Sequence, residues 1–254
     1  MVHASGRTAH HGMAPPPTTH PDAFPASPPF DLEDADVIAA HDWAAFEDVS
    51  AMRDHWQRPG WSPGTRAYYW LLSITDPAFT EQAALCQEAV SGLGAFDLIS
   101  PGDFHATLGR VGLVDDVHEH QLDRLVRLVR DDPPHAFPLT AMPLTGSRGA
   151  LRYSVAPWTP VLDLHRRLVA ASAAAGLPTM KPSDRLRPHI GIGYCNQLLP
   201  TGPVREAVEP LRALPRVHLL VDRVDLVELR REPAAYKWRV IHPVQLPISS
   251  ASAN

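Results

Sequence analysis

Hydrophobic positions first recur with a helical period in residues 31–56, "DLEDADVIAAHDWAAFEDVSAMRDHW", where acidic residues crowd the first turn. That pattern predicts a helix ending before Pro59-Gly60. From residue 65 the texture changes to aromatic and aliphatic runs of strand length. "RAYYWLLSIT" reads as a strand, and "DPAFTEQAALCQEAVSGL" as a helix with Asp76 as N-cap and Pro77 at its first position. A short run "FDLIS", a strand "FHATLGRVGL" and a helix "VHEHQLDRLVRLVRD" follow. Next come a hairpin, "AFPLTAMPL" and "ALRYSVAP" joined through "TGSRG", and the helix "TPVLDLHRRLVAASAAAG". The strand "HIGIGYC", the helix "GPVREAVEPLRAL" and two last strands, "RVHLLVDRVDLVELRR" and "YKWRVIHPVQL", complete the chain. Hairpins interleaved with helices predict an α+β fold of mainly antiparallel sheet rather than a βαβ series. Residues 1–30, rich in proline and without hydrophobic period, predict a disordered tail; 31–60 form a helical extension, and 61–250 the folded domain.

Strand alternation assigns faces within two of these segments. In the first, His105, Thr107 and Gly109 share one face, while Phe104, Ala106, Leu108 and Arg110 share the other. In the second, His189, Gly191 and Gly193 face one way and Ile190, Ile192 and Tyr194 the other. The apolar sets take the core, so each histidine sits on the open side beside small residues that let a ligand approach the backbone. A lone strand histidine among 14 is ordinarily a satisfied structural group. Two with the same face pattern, each entered through a proline-containing stretch ("SPGDFH", "RLRPH"), shift the balance toward a shared role.

Composition adds exclusions. With 254 residues, 44% hydrophobic, the chain can bury one sizeable core or two small ones. No apolar run has the length of a membrane span, and "MVHASGRTAHHGMAPPP" lacks a signal-peptide h-region. Cys86 and Cys195 are too few for a disulfide framework and suit a reducing compartment, so the expected location is the cytoplasm. The net charge of −5 conceals an acidic excess in residues 1–60 and a basic one in 181–240. Without a polybasic cluster, a short nucleotide or an RNA end is a better partner than long duplex nucleic acid. No glycine-rich phosphate loop suggests ATP or a dinucleotide, so no cofactor is expected. The tail histidines His3, His10, His11 and His20 and the "HEH" at 118–120 lack a completing coordination set, so no metal site is expected either. Nothing in the pattern argues against a monomer.

"HATL" at 105–108 and "HIGI" at 189–192 resemble the paired His-x-Thr/Ser-x motifs of the two-histidine phosphoesterases, which include 2′-5′ RNA ligase-like and 2′,3′-cyclic phosphodiesterase enzymes. The first stretch fits fully; the second carries Gly191 where the family has a hydroxyl residue. The resemblance spans roughly residues 65–247 and leaves out the N-terminal 60. It implies two similar lobes about a pseudo-twofold axis, helices outside, and a groove lined by one motif strand from each lobe. It also implies metal-independent cleavage of 2′,3′-cyclic phosphate RNA ends or small cyclic or oligonucleotide phosphodiesters, with 2′-5′ ligation as the reverse reaction.

Histidine titrates near 6.5, so one imidazole can act as base while its partner acts as acid. His105 and His189 are the expected catalytic pair, with Thr107 donating to a non-bridging phosphate oxygen. At Gly191 two readings stand: a backbone N–H or water replaces the missing donor, or the groove binds without turnover. The second would make the chain a non-catalytic nucleotide or RNA-end binding module. Arg187, of the same parity as His189, is a further phosphate-binding candidate, and Tyr236 a base-contacting one. Arg152 and Ser154 share a face of their strand without an assigned direction.

Overall fold

The structure is a computed structural model in which residues 17–178 and 180–248 are described. In chain order it comprises α1 (Ala35–Glu47), β1 (Ala51–Met52), β2 (Arg66–Ser73), α2 (Pro77–Ser91), β3 (Phe96–Leu98), β4 (His105–Leu113), α3 (Glu119–Asp131) and β5 (Phe137–Gly146). There follow β6 (Ala150–Ala156), α4 (Thr159–Ala174), β7 (His189–Cys195), β8 (Leu199–Pro200), α5 (Thr201–Val208), β9 (Val217–Val221), β10 (Arg223–Glu232) and β11 (Ala235–Gln245). A four-stranded sheet runs β11-β10-β2-β4 and a five-stranded sheet β3-β7-β6-β5-β9, antiparallel at every pairing. The two motif strands β4 and β7 belong to different sheets and pack against each other. This is the α+β, two-lobe arrangement expected.

Each sheet turns one face to helices. Tyr153 of β6 meets Phe79 and Cys86 of α2, with a ring separation of 4.8 Å and a hydroxyl–sulfur contact of 3.3 Å. On the four-stranded sheet, Gly109 lies under Met180 and His165; a Cβ there would stand 2.6 Å from Met180 Cε. Asp76 caps α2 as expected, accepting from the Phe79 N–H at 2.9 Å. The single strand expected over 216–231 is two. The chain breaks at Asp222, so β9 closes one sheet and β10 enters the other. A continuous hydrophobic run cannot show that its halves serve different layers.

The N-terminal region departs most from expectation. The helix stops at Glu47, because residues 48–52 leave it to pair β1 with β8 and to bury Met52. Long-range pairing here overrides the helical period. Residues 17–30, expected to be disordered, are held by buried arginines that capture their backbone carbonyls. Arg187 donates to the carbonyls of Thr18, Pro25 and Ala26 at 2.7, 3.0 and 3.0 Å, and Arg152 to that of Phe24 at 3.1 Å. Such anchoring leaves no hydrophobic signature. His3, His10 and His11 lie outside the described residues. No helix is long and apolar enough to cross a membrane among the described residues.

α1 packs on β5 and β6, opposite α2. Ile38 and Phe46 are fully buried there, each worth roughly 1.5–3 kcal/mol of apolar burial. Gly146 admits the Phe46 ring, which would lie 2.4 Å from a Cβ at that position. The extension therefore covers the face of the five-stranded sheet that helices α2 and α5 leave open.

Candidate active site

Both motif histidines are set by the same local device. A single 3₁₀ turn, Pro101–Asp103 or Ser183–Arg185, brings the chain into the strand. The His105 Nδ1–H donates to the Asp103 carbonyl at 2.8 Å, and the His189 Nδ1–H to the Arg187 carbonyl at 2.8 Å. These bonds fix the tautomer, so each neutral ring offers its Nε2 lone pair away from its own strand. His105 is buried and lies edge-to-face with Trp238 at 4.8 Å between centroids; His189 is half-buried.

Cross-strand partners repeat the parallel. Ser73 pairs with His105 and Ser154 with His189. Each serine hydroxyl donates to a buried carboxylate, Ser73 to Asp225 at 2.7 Å and Ser154 to Asp42 at 2.5 Å. Each carboxylate meets an arginine: Arg223 Nε lies 3.0 Å from Asp225, and Arg152 Nη2 lies 3.4 Å from Asp42. Arg152, cross-strand from Gly191, thus lies on the His189 side of its sheet.

Alternation assigned residues beyond each motif to the wrong face. In the pairing of β2 with β4, Trp70 opposes Gly109 and Leu71 opposes Thr107, leaving Leu108 as a β-bulge. The extra residue moves Arg110 onto the face of His105 and Thr107 and sends Gly109 to the helix side. In β7 the same occurs at Ile192, which brings Tyr194 onto the face of His189. The Tyr194 ring packs against His55 at 4.2 Å, tilted by 32°, and lies 5.3 Å from the Tyr236 ring. A cavity of about 20 Å³, enough for a water, is lined by His105, Tyr194, Tyr236 and Trp238.

The other expected residues separate. Thr107 is exposed on the His105 face, and Gly191 is half-buried on the His189 face. Tyr236 stands beside the cavity, with its hydroxyl 3.0 Å from His55 Nε2. Arg187 does not reach the groove: its donors are taken by carbonyls of residues 18–26, 184 and 186, which makes it an anchor for the N-terminal segment. Sequence reading also missed His55, Trp56, Arg58 and Trp238. Only Trp238 had a usable signal, sharing the parity of Tyr236 in its strand.

The electrostatics of the two imidazoles differ. Burial lowers the His105 pKa, opposed by the Asp103 carbonyl and carboxylate. His189 is pushed down to about 3 by burial, the Arg152 and Arg58 guanidinium groups and His105, against the raising effect of the Arg187 carbonyl. Both rings are therefore neutral at pH 7, and their charged neighbours act in opposite directions: the Asp103 carboxylate favours protonation of His105, and the Arg152 guanidinium disfavours that of His189. Among the described residues no cluster of His, Cys, Asp and Glu side chains could hold a metal ion.

A Cβ at Gly191 would stand 3.3 Å from Ile99 Cδ1, the end of a flexible side chain. Threonine should therefore fit after a shift of a few tenths of an ångström. Gly191→Thr is expected to raise kcat about tenfold or more, since one such donor is typically worth about 10²–10³. Steady-state kinetics of the variant checks this, and an unchanged or lower kcat would mean the donor is already supplied.

Residues 96–233 match the 2′-5′ RNA ligase superfamily. No curated protein sequence matches the chain. In structure it is similar to protein TT0787 of Thermus thermophilus, at 15% identity over 72% of this chain and 99% of that one, with a TM-score of 0.55. It is likewise similar to Escherichia coli LigT, at 14% identity over 72% of this chain. The complex with 3′-AMP is covered over 98% with a TM-score of 0.52, and the apo form over 99% with a TM-score of 0.53. At these identities the likeness is one of fold.

Proposed function

The chain belongs to the 2′-5′ RNA ligase superfamily, and on that basis we propose that it is a metal-independent phosphodiesterase opening 2′,3′-cyclic phosphates at RNA ends or on small nucleotides. Family and fold support phosphodiesterase chemistry in general. The observation that carries the finer reading is the matched tethering of His105 and His189 by Nδ1, on contacting strands of two sheets.

The two environments divide the labour. His189, beside Arg152 and Arg58, holds no proton near neutrality and is the base. His105, whose Asp103 neighbour favours the imidazolium, is the acid. His189 Nε2 takes a proton from water as its oxygen attacks phosphorus. The bond from phosphorus to one ribose oxygen breaks, and His105 delivers a proton to that oxygen. Thr107 donates to a non-bridging oxygen while charge builds there. With a 5′-hydroxyl in place of water, the same groups would form a 2′-5′ linkage: His189 takes the 5′-hydroxyl proton as its oxygen attacks phosphorus, the bond to the 3′-oxygen breaks, and His105 protonates that oxygen.

The productive state needs His189 neutral and His105 protonated. His189 stays neutral down to about pH 3, and His105 loses its proton below 6.5. The alkaline limb of kcat/KM is therefore expected below pH 6.5, falling tenfold per unit above it. The limb of kcat should lie higher, because bound phosphate anion stabilises both imidazolium ions. A kcat/KM profile flat to pH 8 would contradict the assignment.

Gly191 favours a second reading, a nucleotide or RNA-end binding module. A panel of 2′,3′-cyclic nucleotides, 2′-5′ dinucleotides and ADP-ribose cyclic phosphate, assayed with EDTA, separates the two. Hydrolysis by the wild type and not by His105→Ala or His189→Ala supports the enzyme. Binding without turnover of any member supports the module.

A further inference from the structure

Residues 53–61 form a strap joining the two lobes. On the five-stranded sheet, the Arg53 N–H donates to the Arg148 carbonyl at 2.8 Å and the His55 N–H to the Cys195 carbonyl at 2.7 Å. Trp56 Nε1 donates to Asp97 at 2.7 Å. On the other side, the Arg231 guanidinium covers the Trp56 ring at 4.0 Å, and Trp61 packs with Leu71, Val227 and Leu229. The strap precedes the residues that match the superfamily.

Arg58 sits at the tip of the strap. Its N–H donates to the Trp56 carbonyl at 2.9 Å, and its own carbonyl accepts from the Trp61 N–H at 3.1 Å, which fixes a tight turn. The side chain is exposed, and Nη2 lies 3.4 Å from His55 Nδ1, whose ring packs against Tyr194. It forms no ion pair with a carboxylate among the described residues. Its charge bears on His189 and Tyr194 from one sheet and on Tyr69 and Tyr236 from the other. His55 in turn touches Tyr194 and Tyr236, which line the cavity beside His105, so one ring separates the guanidinium from that cavity. Of the neighbouring cations, Arg152 is paired with Asp42 and bonded to the Phe24 carbonyl, while Arg231 is buried with its guanidinium over the Trp56 ring, so neither reaches solvent as Arg58 does.

We propose that Arg58, held at the tip of the strap next to the His55 ring, is a substrate-phosphate-binding residue that supplies positive charge to a groove in which Gly191 supplies no hydroxyl. This rests on the phosphodiesterase reading and adds to it a residue from outside the superfamily match. The planar fork of a guanidinium suits the non-bridging oxygens of a phosphate.

The test titrates 2′-AMP, a product of the proposed reaction, into wild type, Arg58→Gln and Arg58→Lys by calorimetry, with 2′,3′-cyclic AMP turnover alongside. Arg53→Ala removes a charge from the same strap as a control. Arg58→Gln should weaken 2′-AMP binding about 10–100-fold, the worth of a charge-assisted hydrogen bond. It should raise KM more than it lowers kcat. Lysine should restore part of the loss, and Arg53→Ala should bind as wild type. Wild-type binding by both Arg58 variants overturns the proposal, as does failure of the wild type to bind 2′-AMP. Arg58-dependent binding with no turnover leaves the binding residue standing and removes the phosphodiesterase reading. Turnover indifferent to Arg58 does the reverse.

Discussion

Replacing His105 or His189 with Ala is expected to lower kcat/KM toward a 2′,3′-cyclic nucleotide by about 10²–10⁴ each, the usual worth of a positioned acid or base. Neither substitution should unfold the protein, because each ring's only hydrogen bond among the described residues goes to a backbone carbonyl two positions back on its own chain. The two losses should not multiply. Once the base is gone the acid has little developing charge to answer, so the double variant should resemble the worse single one. The pH profiles distinguish the roles. Removing His105 should abolish the alkaline limb, while removing His189 should leave whatever activity remains tied to His105 protonation. Steady-state rates and profiles of the three variants are the check. Wild-type rates in either single variant would exclude that ring from the chemistry.

Asp42→Ala is expected to be the most destabilising single change near the groove. Asp42 and Arg152 are 1% and 2% exposed, and Asp42 also accepts from Ser154. Without the carboxylate, Arg152 keeps a buried charge whose remaining hydrogen bond is to the Phe24 carbonyl. Removing one member of a buried pair costs about 3–5 kcal/mol, a fall in Tm on the order of 10 °C for a chain of this length. Arg152→Met added to Asp42→Ala should recover much of the loss, because an apolar side chain leaves nothing uncompensated. Thermal melts of the single and double variants measure this directly. Equal Tm values for Asp42→Ala and wild type would mean that α1 is not fastened through this pair.

The two strands that carry the histidines were legible because their signal is local. "HATL" and "HIGI" sit in short strands whose neighbours alternate cleanly through the second residue after each histidine. Beyond that point Leu108 and Ile192 bulge out, and Arg110 and Tyr194 change face. A bulge is decided by the partner strand, so neither residue could be assigned from its own segment. The N-terminal region failed for a related reason. Residues 17–30 are fixed by arginines more than a hundred positions away that bond to carbonyls, and carbonyls are present in every sequence. Arg187 was misread through the same blindness, since its parity suited the groove while its partners lie in the extension. His55, Trp56 and Arg58 looked like the end of a helix; their placement depends on Tyr194, Asp97 and Tyr236.

A crystal structure with 2′-AMP bound tests the convergence of the two imidazoles on one phosphorus most directly. The expected result is a single phosphate with oxygens within about 2.6–3.2 Å of both Nε2 atoms, the reach that proton transfer requires. A phosphate held by one ring alone, or seated away from both, would contradict it.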